Sequence, residues 1–198
     1  YLNNLDGEID FITKNYSPHM DNPRMYFSIE NAMKIDAVRN KIYEWEKSNQ
    51  INKHEKNYLI ASLMHAINLV SNITGTYGAY LKVCESRSTK KIKLSLLPVI
   101  QSDFRNRAWN KDINDAITNP FDFMYFDPPY NSRNYFANYF LLEIIARGWK
   151  EFNFLPTGVT GKPKNFEVKS EFNSKKFVEG AVHKLLSLSA SNNIAISY

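Results

Sequence analysis

The stretch "FDFMYFDPPY", residues Phe121 to Tyr130, constrains the fold more than any other part of the chain. Its first six residues form an almost continuous apolar and aromatic run, the pattern of a strand covered on both faces of a sheet. Two prolines then forbid continuation, because each fixes φ and lacks an amide hydrogen. The strand must therefore stop at Asp127. In open α/β sheets, ligands bind beyond the carboxyl ends of strands. A carboxylate, a stiff backbone whose carbonyls are free to accept, and the flat ring of Tyr130 are delivered to that position. Two acceptors and a stacking face form a receptacle for a planar group that carries an exocyclic NH₂. Asp-Pro-Pro also initiates turns; the apolar strand ahead of it favours the site.

The remaining pattern predicts an α/β chain with a helical front. Residues 1–27 read as polar and irregular, with Pro18 and Pro23 opposing a long helix. Ser28 reads as the N-cap of a helix whose Ile35, Val38, Ile42 and Trp45 recur at helical spacing. Asn52 and Glu55 form a capping box for a second helix striped by Leu59, Leu63, Ile67 and Val70. That helix ends near "NITGTYGAY", where Gly75 and Gly78 permit positive φ or close backbone approach. "RNRAWNKDINDAI" predicts a short strand leading to Asp112 and a brief helix. "NYFLLEIIARG" predicts a helix closed by Gly148, and a loop with Pro156, Gly158, Gly161 and Pro163 follows. A last helix over about 173–189 carries Phe177, Ala181, Leu185 and Leu188 on one stripe, and "NIAISY" is strand-like. Strand, helix, loop, helix, strand suits a parallel sheet.

Composition narrows the classes. The 198 residues suffice for one domain, or one domain with a helical attachment. No apolar run approaches the roughly 20 residues that cross a bilayer. Cys84 is the single cysteine and the four histidines are scattered without ligand spacing, so neither a disulfide nor a metal site is expected. A cytoplasmic location follows as the expectation. The net charge is +5, and residues 61–111 hold eight basic side chains against Glu85 and Asp103. Such a surplus is what a polyanion-binding surface needs, and also what a solvated lysine-rich loop looks like. The chain starts at Tyr1 rather than Met and finishes on "NNIAISY", so it is expected to be a piece of a longer protein.

"KNYSP", "RMYF", "YGAYLK", "DPPYNSRNY", "NYFLLEIIAR" and "AISY" occur in an order that resembles the adenine-specific DNA methyltransferases of bacterial restriction-modification systems. The resemblance covers nearly the whole chain and is most specific at DPPY. It implies a partial Rossmann-like, S-adenosylmethionine-dependent sheet with a helical insertion. Residues 1–100 would be a helical region with a basic loop, and residues 101–198 the part of the α/β domain that carries DPPY. It implies that Asp127 and the Pro128 carbonyl hold the target amino group, with Pro129 stiffening the motif and Tyr130 stacking on a flipped base. Asp112 would contact the adenine ring of S-adenosylmethionine and Ile113 would line that pocket; a helix N-cap is the other role open to Asp112. Asn131, Tyr135, Asn138 and Tyr139 are candidates for the target-base pocket, where packing is the competing role. Lys82, Arg87, Lys90, Lys91 and Lys93 are candidates for the backbone of double-stranded DNA. A cognate restriction endonuclease is the implied functional partner.

One part of the family pattern is not visible. The family cradles its cofactor in a glycine-rich turn after a first strand, and "ITGTYGAY" follows a helix instead. The expectation is that upstream residues, or a second polypeptide, supply that half, and that this chain alone is inactive. A non-catalytic nucleic-acid-binding module and an RNA amino-methyltransferase are the alternatives.

Overall fold

A computed structural model of the chain describes residues 1–117, 119–129, 132, 134–165 and 170–197. In order, the elements are α1 (Phe11–Tyr16), α2 (Ile29–Lys47), α3 (Lys53–Val70), α4 (Ile113–Ala116) and β1 (Met124–Phe126). There follow α5 (Tyr135–Arg147), β2 (Pro156–Thr157), β3 (Lys162–Pro163), α6 (Val178–Leu188) and β4 (Ile194–Ile196). The chain divides into two compact units, Tyr1–Val99 with Phe136–Glu167, and Ile100–Tyr135 with Val168–Tyr198.

In the first unit, the helix boundaries follow from local capping. The Ser28 side chain accepts from the Asn31 amide at the start of α2, and Asn52 and Glu55 close both halves of the capping box on α3. Ile35, Val38 and Ile42 share one core with Leu63, Ile67 and Val70, and the half-buried Leu59 packs against it; Trp45 is half-buried. Phe140, Leu141, Ile144 and Ile145 of α5 enter the same core. Gly148 closes α5 at φ +83°, and its amide donates to the Ile144 carbonyl at 2.7 Å. Gly75 has φ +120°, and a Cβ on Gly78 would stand 3.2 Å from the Asn138 side-chain oxygen. The glycine loop after α3 thus serves tight packing against α5.

Residues 1–27 differ from expectation. Ile12, Thr13, Tyr16, Tyr26 and Phe27 are buried, and the segment forms α1. The cause is non-local. Asp36 of α2 accepts from the amides of Asp10 (3.0 Å), Ile12 (2.9 Å) and Thr13 (2.8 Å) and from the Thr13 hydroxyl (2.7 Å). A helix of six residues cannot hold itself; this one has its first turn capped by a carboxylate from another helix. The loop at 156–163 is an antiparallel hairpin whose tip carbonyls are all accounted for. Arg24 donates to Gly158 and Val159, Tyr26 to Thr160, and Tyr16 to Gly161.

The second unit holds β1 and β4, paired in parallel with Met124 opposite Ile194 and Phe126 opposite Ile196. Met124 and Phe126 pack with Ile117, Leu185 of α6 and the half-buried Phe172 and Ile194. Helices with a parallel strand pair make the chain mixed α/β, as expected. Three details are corrected. Among the described residues, no strand precedes Asp112: residues 101–112 are exposed throughout, so there is no apolar face for a sheet to bury. The Phe121–Phe126 run yields a strand of only three residues, and it is not covered on both faces. Met124 and Phe126 are buried, whereas Phe123 and Tyr125 are 60% and 62% exposed, because the described core lies on one side of the pair. The last helix begins at Val178 rather than near 173, after a separate 3₁₀ turn, Glu171–Asn173.

Candidate active site

Three segments of the second unit converge where β1 ends. The strand is fixed there by pairing, with the Ser197 amide donating to the Phe126 carbonyl at 2.9 Å and the Met124 amide to the Asn193 carbonyl at 2.9 Å. Asp127 is the next residue, exposed, with Pro128 and Pro129 half-buried behind it. The carboxylate thus stands where a parallel pair ends and the chain can no longer donate from its own amides. Tyr130 and Asn131 lie outside the described residues.

The second segment is the start of α4. Asp112 is its N-cap, accepting from the Asn114 amide at 2.9 Å and from the Asn114 side chain at 2.7 Å. The Asn114 hydrogen bonds, and then the field of Lys184, hold this carboxyl below the usual range. Capping does not consume the residue: Asp112 and Ile113 line the same cavity as Asp127, Pro128 and Pro129. The third segment was not legible in the sequence. Ser170, Glu171 and Phe172, with Lys184 and Leu185 of α6, complete the lining. The apolar stripe of α6 identified Leu185 as a core residue, but the wall it forms depends on α6 crossing between two parallel strands.

The cavity has a volume of about 770 Å³, within the range of sites that take a cofactor or a drug-sized ligand. Phe126, Phe172, Leu185 and the two prolines give it apolar surface, while Asp112, Asp127 and Glu171 offer acceptors and Lys111 and Lys184 donors. Such a site suits a planar, amine-bearing ligand. Among the described residues, no group of three or more His, Cys, Asp or Glu side chains is arranged to hold a metal ion. The described helices include none long and apolar enough to cross a membrane.

Tyr135, Asn138 and Tyr139 are not among the residues that line this cavity. Tyr135 begins α5 and is exposed, as is Tyr139; Asn138 is half-buried, and its carbonyl accepts from the Tyr77 amide at 2.7 Å. Asn138 and Tyr139 belong to the first unit. Of the basic candidates, Lys82, Lys90, Lys91 and Lys93 are exposed. Arg87 is bound within its own loop, donating to the Ile73 carbonyl and pairing with Glu85 at 2.9 Å.

Comparison with known proteins shows the family. The family model of D12 class N6 adenine-specific DNA methyltransferases matches residues 1–191. The chain is 41% identical over 203 residues to the type II methyltransferase M.FokI of Planomicrobium okeanokoites, covering 100% of this chain and 31% of that protein. It is 37% identical over 205 residues to the modification methylase StsI of Streptococcus sanguinis, covering 100% of this chain and 30% of the relative. With the type II methyltransferase M.CviAII of Paramecium bursaria Chlorella virus 1 it shares 36% identity over 188 residues, 95% of this chain and 54% of the other. The chain thus spans about a third of the first two relatives and about half of the third. No solved structure gives a significant match. On the match of residues 1–191, the chain belongs to the D12 class N6 adenine-specific DNA methyltransferase family.

Proposed function

We propose that this chain carries the catalytic motif of an enzyme that methylates the N6 amino group of adenine in double-stranded DNA, within a restriction-modification system. The observation that supports it is the cavity lined jointly by Asp127, Pro128 and Pro129 from one segment and Asp112 and Ile113 from another. β1 and β4 would then be neighbouring strands of a Rossmann-like sheet. Residues 101–198 would hold the chemistry, and residues 1–100 the helical, DNA-contacting insertion.

Asp112 and Ile113 fit the adenine end of S-adenosylmethionine: an acceptor already ionised at a helix start, beside a partly exposed apolar side chain. The described residues present no glycine-rich turn after a strand for the rest of that molecule. Such a half-site predicts weak cofactor binding by this chain alone. When bound, S-adenosylmethionine supplies an electrophilic methyl group.

The chain's own part is to prepare the amino nitrogen. In an aromatic amine, the lone pair is conjugated into the ring and is a poor nucleophile. The Asp127 carboxylate and the Pro128 carbonyl would each accept one N–H, which favours a tetrahedral nitrogen and frees the lone pair. Positive charge then develops on that nitrogen beside a fixed carboxylate, so the interaction strengthens in the transition state. Asp127 is exposed, so the departing proton has a route through it to water. A base inside a duplex cannot reach such a site and must be flipped out.

The test uses the complete native polypeptide carrying this chain, with tritiated S-adenosylmethionine and duplex DNA of mixed sequence. Label recovered in N6-methyladenine, and lost in Asp127→Ala, is the expected result. Label in RNA alone, or none in either nucleic acid, would refute the proposal.

A further inference from the structure

The segment 88–94 has no regular secondary structure, yet it is held as firmly as a sheet edge. Asn31, almost fully buried in α2, donates from Nδ2 to the carbonyls of Lys90 (2.8 Å) and Ser88 (3.3 Å) and accepts at Oδ1 from the Ile92 amide (2.9 Å). Asn3 does the same further along the segment, donating to the Leu94 carbonyl at 3.0 Å and accepting from the Leu94 amide at 2.8 Å. Lys34 in turn holds the Asn3 carbonyl at 3.1 Å. Two side-chain amides therefore replace the neighbouring strand that an extended segment ordinarily needs.

Burial alternates along the clamped stretch. Ile92 is buried and Leu94 half-buried, while Lys91 and Lys93 are exposed. Alternation is the signature of an extended chain and sets two outward lysines side by side, about 7 Å apart at their Cα atoms. A solvated lysine-rich loop would need no such clamp. Elsewhere in the same unit, Lys47, Lys56 and Lys150 are paired with Glu151, Glu46 and Asp10 at 2.6, 2.7 and 2.7 Å. Among the described residues, Lys90, Lys91 and Lys93 have no acidic partner within 4.0 Å.

We propose that residues 90–94 form a preorganised phosphate-binding strip, in which Lys91 and Lys93 contact neighbouring phosphates of one strand of duplex DNA and Asn31 and Asn3 position them. This rests on the DNA-methylating function above and adds to it which basic residues bind and what holds them. Arg87, tied to Ile73 and Glu85, is excluded from the strip. Fixing the lysines before binding removes an ordering cost that a floppy loop would incur on association.

The experiment measures affinity of the complete native polypeptide for a short fluorescent duplex across a salt series. Each phosphate contact contributes about 0.9 to the slope of log K against log salt, so Lys91→Gln with Lys93→Gln should reduce that slope by about 1.8. Arginine at both positions should keep it. An unchanged slope with intact salt-dependent binding overturns the strip and leaves the methyltransferase function standing; absence of duplex binding overturns both.

A double-mutant cycle tests the positioning role. Asn31→Ser, or Asn3→Ala should Asn31→Ser fail to fold, should weaken duplex binding about threefold or more with both lysines present, and have no effect once both are glutamine. Equal weakening in both backgrounds would make the asparagines merely structural and overturn that role.

Discussion

The guanidinium of Arg39 fills the space that a Cβ on Gly148 would occupy, while its Nε donates to the Ile145 carbonyl at 2.8 Å. One buried arginine from α2 therefore caps the last turn of α5, and the glycine that ends α5 is small because that arginine is there. Gly148→Ala should be destabilising twice over: by backbone strain at φ +83° and by expulsion of Arg39. Together these are expected to cost about 2–4 kcal/mol in urea unfolding. In an Arg39→Ala background only the strain should remain. An equal loss in both backgrounds would show that the two residues are not coupled.

Asp36 gives the fold a pH dependence of unusual sign. Burial pushes its carboxyl up to about 6, against the opposing effect of four hydrogen bonds from Thr13, Ile12 and Asp10. The folded chain therefore holds this proton more tightly than the unfolded chain does. Stability associated with Asp36 is greatest below the ordinary value of 3.8 and is lost as pH rises through about 6. The loss amounts to about 3 kcal/mol, since each tenfold difference in proton affinity between the folded and unfolded chain is worth about 1.36 kcal/mol. Unfolding free energies of wild type and Asp36→Asn, compared at several pH values between 4 and 7, should diverge with this sign, wild type losing ground as pH rises. Parallel pH profiles would contradict the assignment.

Elements whose ends are set locally were legible from the chain. Ser28, the Asn52–Glu55 box and Gly148 act within a few residues of the termini they fix, and the boundaries of α2, α3 and α5 follow from them. That "MYF" and "IAI" form strands was legible for the same reason, since a strand-like apolar run announces itself. The first 27 residues were not, because α1 depends on a carboxylate from α2 that no local pattern reveals. The candidate site divides likewise. Asp112 and Asp127 stand out by motif and position, but Glu171 and Lys184 reach their cavity only through the crossover that makes β1 and β4 parallel.

Tyr16 should contribute to stability through its hydroxyl as well as its ring. The buried hydroxyl donates to the Gly161 carbonyl at 2.8 Å, and a Cβ on Gly161 would press on the Tyr16 ring. Tyr16→Phe keeps the packing and leaves that carbonyl without its donor, for an expected loss of about 1–3 kcal/mol in urea unfolding. No measurable loss would show that water replaces the bond.

Asp112 caps α4, and substitution can separate that role from the proposed contact with the cofactor. Serine retains an oxygen able to cap α4 through the Asn114 amide but removes the carboxylate, whereas alanine removes both. If the carboxylate contacts the cofactor, Ser and Ala should raise the KM for S-adenosylmethionine alike. Only Ala should additionally destabilise the chain, by about 1 kcal/mol. A normal KM in the serine variant would reduce Asp112 to a helix cap.

Asp127 makes the sharpest claim on mechanism. Asparagine at this position keeps one oxygen acceptor on a side chain of the same shape but removes the negative charge that, on the proposed mechanism, would face the developing ammonium. If the charge acts in the transition state, Asp127→Asn should lower kcat by about 10²–10³, and Asp127→Ala by at least as much, with the KM for DNA little changed. On the proposed function, KM stays unchanged because the duplex would be held by phosphate contacts on other residues, while Asp127 would meet only the flipped base. A rise in KM at constant kcat would mean instead that Asp127 binds the base equally in ground and transition states. Single-turnover methylation with saturating S-adenosylmethionine separates the two, because it removes product release from the measured rate.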